Sequence, residues 1–224
     1  MTRAALFDVD GTLVDTNHLH VTAWWEAFRQ AGHRVRMPAI HRSIGMGSTD
    51  LIEHLLGTDR DRDQDADITA AHTTLYGTYF ERLPALDRAG DLLRALAGEG
   101  WRVVLATSAS GAELAALRKA IDADDVIAAT ASSDDVSSGK PHPEPVEHAM
   151  ELAEATAANT VFVGDSVWDM RAARRAGVTP VALLSGGIPR ADLEEAGAAE
   201  VHSDPAALLA ALPGSAFARV TDGR

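Results

Sequence analysis

Four short apolar runs recur along this chain, and a polar residue follows each within two positions. They are Ala4–Phe7, Val103–Ala106, Val161–Val163 and Val181–Leu184. Runs this short read as buried strands rather than helix faces. Helical patterns lie between them. Asp91–Glu99 carries Leu92, Leu93, Ala95 and Leu96 at helical spacing, and Gly100 stops it. Glu144–Ala157 and Trp168–Ala176 read the same way, with Gly177 ending the second. Val126–Ala129 reads as one more strand. Strand and helix therefore alternate from about residue 90 onward. That alternation predicts an α/β fold, a doubly wound parallel sheet with helices on both faces.

Residues 16–84 break the alternation. Helical periodicity covers His20–Gln30, Thr49–Leu56 and Ile68–Arg82, with polar breaks at Gly32–Pro38 and Gly57–Asp67. No strand pattern is evident there. The expected organisation is a Rossmann-like core of residues 1–15 and 85–212, with a small helical domain of residues 16–84 inserted after the first strand. Pro213–Arg224 lacks a core-facing pattern and is expected to be a flexible tail. The charge run Asp59–Asp67 reads as a solvated loop.

Composition narrows the function. With 46% hydrophobic and 24% charged residues over 224 positions, the chain can bury a sizeable core. A net charge of −13 makes its surface repel nucleic acid and anionic membranes. There is no cysteine, which excludes disulfides, thiolate catalysis and cysteine metal sites. The N-terminus reaches Asp8 too early for a secretory signal. No apolar run approaches the roughly 18–20 residues of a membrane span. A cytoplasmic protein, monomeric or homodimeric, is expected.

In open parallel sheets, ligands bind outside the carboxyl ends of the strands. Here reactive groups collect at those ends. Asp8 and Asp10 follow the first run, Thr107 and Ser108 the second, and Asp165 the third, with Asp169 one helical turn on. Lys140 sits in the loop Ser138-Gly139-Lys140-Pro141. Several carboxylates in one cleft repel each other unless a cation joins them, and oxygen ligands with waters suit magnesium. Lys140 offers a point charge and Thr107 a hydroxyl donor. A phosphate could sit among these groups, with Asp8 in line to attack phosphorus and Asp10 placed to protonate the leaving oxygen. Taken singly, each piece has an ordinary reading: a turn, a strand end, a surface lysine, a helix cap. Their joint order at successive strand ends is what points to chemistry.

The run Asp8-Val9-Asp10-Gly11-Thr12-Leu13-Val14-Asp15-Thr16 resembles the first motif of the haloacid dehalogenase-like hydrolases. Thr107 is similar to their second motif, Gly139-Lys140-Pro141 to the third, and Gly164-Asp165-Ser166-Val167-Trp168-Asp169 to the fourth. The resemblance spans roughly residues 4 to 185. It implies Asp8 as nucleophile and Asp10 as general acid and base. It also implies a magnesium ion held by the Asp8 carboxylate, the Asp10 carbonyl and Asp165, with Asp169 behind it. Phosphate would rest on Thr107, Ser108 and Lys140. The insert looks like the family's cap, in which His20, Ser48 and Thr49 are candidates to read the substrate. Only 32 residues separate Thr107 from Lys140, too few for a second cap beside a strand and a helix. The implied activity is hydrolysis of a small phosphorylated metabolite, a sugar phosphate or phosphoglycolate. A hexose-phosphate mutase of the beta-phosphoglucomutase type is the alternative. That group carries an arginine in the cap loop to grip a second phosphate, and no arginine stands near Ser48. Carbon–halogen hydrolysis needs neither Asp10 nor a metal, so the second aspartate argues for phosphate. A non-catalytic role on the same scaffold would be marked by loss of the nucleophile, and Asp8 is present.

Overall fold

The computed structural model describes residues 2–220. Its first strand, β1 (Arg3–Phe7), runs down the middle of the molecule. Four helices follow: α1 (Asn17–Gln30), α2 (Met37–Ser43), α3 (Ser48–Leu56) and α4 (Asp65–Gly77). The chain then alternates through α5 (Ala89–Gly98), β2 (Trp101–Ala106), α6 (Gly111–Ile121), β3 (Ile127–Ala131) and α7 (Glu144–Ala153). It continues as β4 (Thr160–Gly164), α8 (Val167–Arg175), β5 (Thr179–Leu183), α9 (Arg190–Ala196), β6 (Glu200–His202), α10 (Pro205–Ala211) and α11 (Ala216–Arg219).

The six strands form one parallel sheet in the order β3-β2-β1-β4-β5-β6. Side chains alternate between its faces, so both faces need cover. Ala5 and Phe7 pack with Leu92, Leu93 and Leu96 of α5 and with Leu117 of α6. Ala4 and Leu6 pack on the other face with Val146 and Ala149 of α7 and Ala172 of α8. β4 is buried throughout and β1 from Ala4 onward, which is why they read as apolar runs. Burying one such side chain, Phe162 for example, contributes roughly 1.5–3 kcal/mol.

The helices α1–α4 form a separate cluster. Trp24, Phe28, Ile40, Leu51, Ile52 and Ile68 pack on one another. Two chain crossings join this unit to the sheet, and they lie side by side. The Asp15 amide donates to the Pro84 carbonyl at 2.9 Å, and Leu86 donates back to Leu13 at 2.9 Å. Further polar contacts hold α2 against the core. His41 Nε2 lies 2.8 Å from the Gly186 carbonyl, and Arg42 pairs with Asp192 at 2.8 Å.

The structure departs from the sequence expectations in three places. Strand β6 has only three residues, all half-buried, so it carries no apolar run to detect. Helix α2 begins inside the expected break at Gly32–Pro38, with Pro38 in its first turn, where a missing N–H costs nothing. Pro213–Val220 is not a loose tail. Ala216–Arg219 is helical, and Phe217 is buried against Trp101 with ring centroids 4.9 Å apart. One aromatic anchor orders this stretch. The final four residues lie outside the described residues. No helix among the described residues is long and apolar enough to cross a membrane.

Candidate active site

The strand order reverses between β1 and β4, so the loops leaving these two strands diverge and open a crevice. Asp8 begins one loop and Asp165 the other. The Asp8 amide still pairs with the Val163 carbonyl at 2.9 Å, which anchors the residue at the strand end. Gly11 makes the turn possible. Its φ is +76°, and a Cβ there would lie 2.4–2.5 Å from Asn17 and Asp165. Thr107 leaves β2 with its amide on the Ala131 carbonyl at 3.0 Å. Lys140 arrives from the loop between β3 and α7.

These groups meet in a solvent-poor space. Lys140 Nζ donates to Asp8 Oδ1 at 2.5 Å and to the Ala106 carbonyl at 3.0 Å. It also pairs with Asp169 Oδ1 at 2.8 Å. The other Asp169 oxygen accepts from the Ser166 amide and hydroxyl, at 3.1 and 2.6 Å. Burial works against the charge on Lys140, but Asp169 and Asp8 overcome it and hold its pKa above the ordinary value. Burial is also the largest influence on Asp8. It raises the carboxyl to about 7, against the pull of Lys140 and with the help of Asp169 and Asp10. Thr12 bridges Asp8 and Asp165, donating at 3.2 and 3.0 Å.

Asp10 faces the other way. Its Oδ1 accepts from the Thr16 hydroxyl at 2.6 Å and lies 3.1 Å from His20 Nε2. Burial raises the Asp10 carboxyl, but the charge and hydrogen bond of His20 outweigh it, and the net shift is downward. His20 is the mirror case. Burial lowers its pKa, but Asp10 and then Glu113 outweigh it, and the net upward shift favours the cationic form. His20 Nδ1 sits 3.1 Å from His72 Nε2. Burial first, and then the His20 charge, push His72 well below the ordinary range, which favours its neutral form.

Two cavities flank the crevice. The larger, about 400 Å3, has Thr107, Ser108 and Lys140 on the core side and Ser48, Thr49 and Asp50 on the insert side. The smaller, about 70 Å3, lies over Asp8 and Asp10 and reaches His20, Ser48, Ser108 and Glu113. The fold thus gathers every residue singled out from sequence: Asp8, Asp10, Thr107, Ser108, Lys140, Asp165 and Asp169 from the core, and His20, Ser48 and Thr49 from the insert. Trp24 is buried, as a core residue would be, yet it also borders the smaller cavity and stacks on His72 at 4.0 Å. Trp25 is half-buried and packs against the core of the insert, with Arg29 over its ring at 5.1 Å. Sequence reasoning missed Asn17, His72 and Glu113. Glu113 lies in the first turn of α6, directly after the Thr107 loop, and that position was the available signal.

Asp8, Asp165 and Asp169 present carboxylate oxygens within 4.8 Å of one another. One ammonium stands among these three carboxylates, and Asp165 meets only neutral donors, Thr12 at 3.0 Å and Asn17 at 2.8 Å. Burial, Asp8 and Asp169 push the Asp165 carboxyl well above its ordinary range. Asn17 Oδ1 is buried beside them without a hydrogen-bond donor. Crowded hard oxygens short of positive charge fit a divalent cation such as magnesium. The Asp10 carboxylate is turned to His20, away from this group.

Comparison with known proteins agrees with this arrangement. Residues 2–177 match the family model for haloacid dehalogenase-like hydrolases. A phosphoglycolate phosphatase of Nitrosospira multiformis is 30% identical over 78% of this chain and 80% of its own length. The pyrophosphatase PpaX of Halalkalibacterium halodurans is 27% identical over 77% of this chain and 79% of its own. The crystal structure of a hydrolase from Pseudomonas syringae superposes with a TM-score of 0.89 at 35% identity, covering 95% of this chain and 98% of that one. The chain therefore belongs to the haloacid dehalogenase-like hydrolases. Within them it is an enzyme of the phosphatase branch.

Proposed function

We propose that this enzyme is a magnesium-dependent phosphomonoesterase that hydrolyses a small phosphorylated metabolite through an aspartyl-phosphate on Asp8. The observation that carries the reading is the separation of two aspartates by their partners. Lys140 holds Asp8 at 2.5 Å on the phosphate side, and His20 and Thr16 hold Asp10 on the leaving-group side. One carboxylate is aimed as a nucleophile and the other is positioned for proton transfer.

In the first step Asp8 attacks phosphorus, the ester P–O bond breaks, and the departing oxygen takes, through Asp10, the proton that the Asp10–His20 pair shares. Lys140, Thr107 and Ser108 hold the phosphoryl oxygens. The Thr107 Oγ accepts from the Ala109 amide at 3.1 Å, so its own proton is free to donate. In the second step water attacks the aspartyl-phosphate, Asp10 takes its proton, and inorganic phosphate leaves with Asp8 restored. Magnesium, held by Asp8, Asp165 and the Asp10 carbonyl, would supply positive charge to the phosphoryl oxygens during transfer. Asp169 acts through Lys140, which it fixes from behind. The helical unit of residues 16–84 serves as a cap that excludes water and presents His20, Ser48 and Thr49 to the substrate.

The mutase alternative requires a grip for a second phosphate. Lys140 is the one lysine or arginine among the residues lining the two cavities, and it serves the first phosphate. The test is phosphate release from a panel of metabolite phosphates with magnesium, with interconversion of glucose 1- and 6-phosphate assayed beside it. Release of phosphate without interconversion is expected. Interconversion faster than hydrolysis would overturn the assignment.

A further inference from the structure

The smaller cavity opens on the Asp10 side of the nucleophile, where the leaving group of an ester attacked by Asp8 would depart. Its walls differ in kind. Trp24, Ile44 and Leu51 make an apolar side, and Asp10, His20 and Glu113 make a polar one. At about 70 Å3 it holds only a handful of non-hydrogen atoms, since one water needs about 10–15 Å3 on this measure. An apolar wall facing a polar one suits a carbon chain with hydroxyl groups along one edge.

The polar wall carries fewer cations than carboxyl groups. His20 Nε2 lies 3.1 Å from Asp10 and 3.7 Å from Glu113, so one imidazolium serves two carboxylates. His72 behind it is neutral. Lys140 is committed to Asp8 and Asp169. A leaving group with its own carboxylate or phosphate would find no spare cation here and would face Asp10 and Glu113, whose carboxyl burial raises to about 7 and which is anionic above that pH. Buried like charges brought together in this way are strongly unfavourable. The Glu113 carboxylate, by contrast, has unused capacity. Among the described residues none donates a hydrogen bond to it, and only His20 pairs with it. Its side chain is 20% exposed and borders the cavity, where a substrate hydroxyl can donate to it.

We propose that Glu113 is a specificity residue, which selects phosphomonoesters whose leaving group is small, uncharged and hydroxyl-bearing and turns away those carrying a second anion. This inference rests on the phosphatase reading above and narrows it toward polyol and sugar phosphates. It sets this chain apart from the phosphoglycolate phosphatase named among its relatives, because glycolate keeps a carboxylate beside the scissile bond.

The test uses two esters that differ by one group, glycerol phosphate with a hydroxymethyl and phosphoglycerate with a carboxylate in its place. Phosphoglycolate and a generic aryl phosphate are run beside them, all with magnesium. The wild-type enzyme is expected to favour glycerol phosphate over phosphoglycerate by at least about tenfold in kcat/KM. Glu113→Gln should shrink that ratio at least threefold, and Glu113→Lys should shrink it further. The ratio is internal to each protein, so a smaller folded fraction does not move it. Binding of both esters to the Asp8→Asn variant, measured by calorimetry, reads the same preference without turnover. Equal turnover of both esters by the wild type would overturn the proposal, as would a ratio that Glu113→Gln leaves unchanged. Failure to release phosphate from any ester, the aryl phosphate included, would instead overturn the phosphatase reading beneath it.

Discussion

Asp8 and Lys140 are both nearly closed to solvent and 2.5 Å apart, so neither can be changed without exposing the other to an unfavourable environment. The two should nevertheless fail differently. Asp8→Asn keeps the shape and removes the nucleophile. Its kcat should fall by several orders of magnitude with little change in melting temperature. More than about a tenth of the wild-type kcat remaining would rule out a covalent aspartyl route. Lys140→Met removes the only ammonium that faces Asp8 and Asp169 among the described residues. Breaking a buried pair by deleting one partner costs about 3–5 kcal/mol. This variant should therefore lose both stability and activity, the latter on every ester alike, because all substrates share the phosphate. A Lys140→Met enzyme that lost activity on one ester and kept it on another would place Lys140 on the leaving group instead.

At the scale of elements, the telling contact is between two glycines. Gly139, next to Lys140, faces Gly47, which precedes α3 of the helical unit. A Cβ on Gly139 would lie 2.9 Å from the Gly47 nitrogen and 3.0 Å from its Cα. Those are backbone atoms and cannot swing aside. A Cβ on Gly47 would meet nothing nearer than 3.6 Å. The two substitutions are chemically identical and should have unequal effects. Gly139→Ala should push the helical unit off the phosphate loop and lower kcat/KM for metabolite esters by at least about tenfold, since small misplacements carry large rate costs. Gly47→Ala should stay within about twofold. Steady-state kinetics on both variants decides the matter, and equal losses would mean that this approach of insert and core is not needed for turnover. Gly139 belonged to a recognisable motif, but its partner across the crevice was not legible, because no periodicity links residues 47 and 139.

At the scale of the whole molecule, the carboxylate cluster ties stability to pH and to metal. Unfolded, Asp8 has an ordinary pKa near 3.8, and in the fold burial raises it to about 7 despite Lys140. Between those values the metal-free fold binds more protons than the unfolded chain does. Its stability from this group is therefore greatest at low pH and falls as pH rises from about 4 to about 7. Asp165 shifts in the same direction and adds to the effect. Magnesium requires ionised carboxylates, so its stabilisation should grow across the same window. At one hundred times its Kd a ligand adds about 2.7 kcal/mol, which raises Tm by roughly 5–10 °C for a chain of this length. The rise on adding magnesium should be larger at pH 8 than at pH 5, measured by thermal unfolding with and without chelator. Equal rises at both pH values, or none at pH 8, would remove the metal from this cluster.

The class of fold was decided by the sequence alone, and the candidate site residues were singled out from it. The reason is that each depends on local order. A buried parallel strand must be an apolar run, its carboxyl end must carry the reactive group, and the helix behind it must show its own period. Asp8, Thr107, Lys140 and Asp165 each stand at such a place, so alternation and position sufficed to find them. Residues 16–84 were legible as a helical unit for the same reason. What only the tertiary structure decided are the relations between segments that share no local signal. Strand β6 and the ordered stretch around Phe217 depend on partners far along the chain, Pro180 and Trp101 among them. The pairing of Asp10 with His20, the stacking of His72 on Trp24, and the place of Glu113 on the cavity wall arise because the insert is folded back over the end of the sheet. A side chain's charge is written in the sequence, but whether that charge is matched, buried or free to meet a substrate depends on neighbours that only folding supplies.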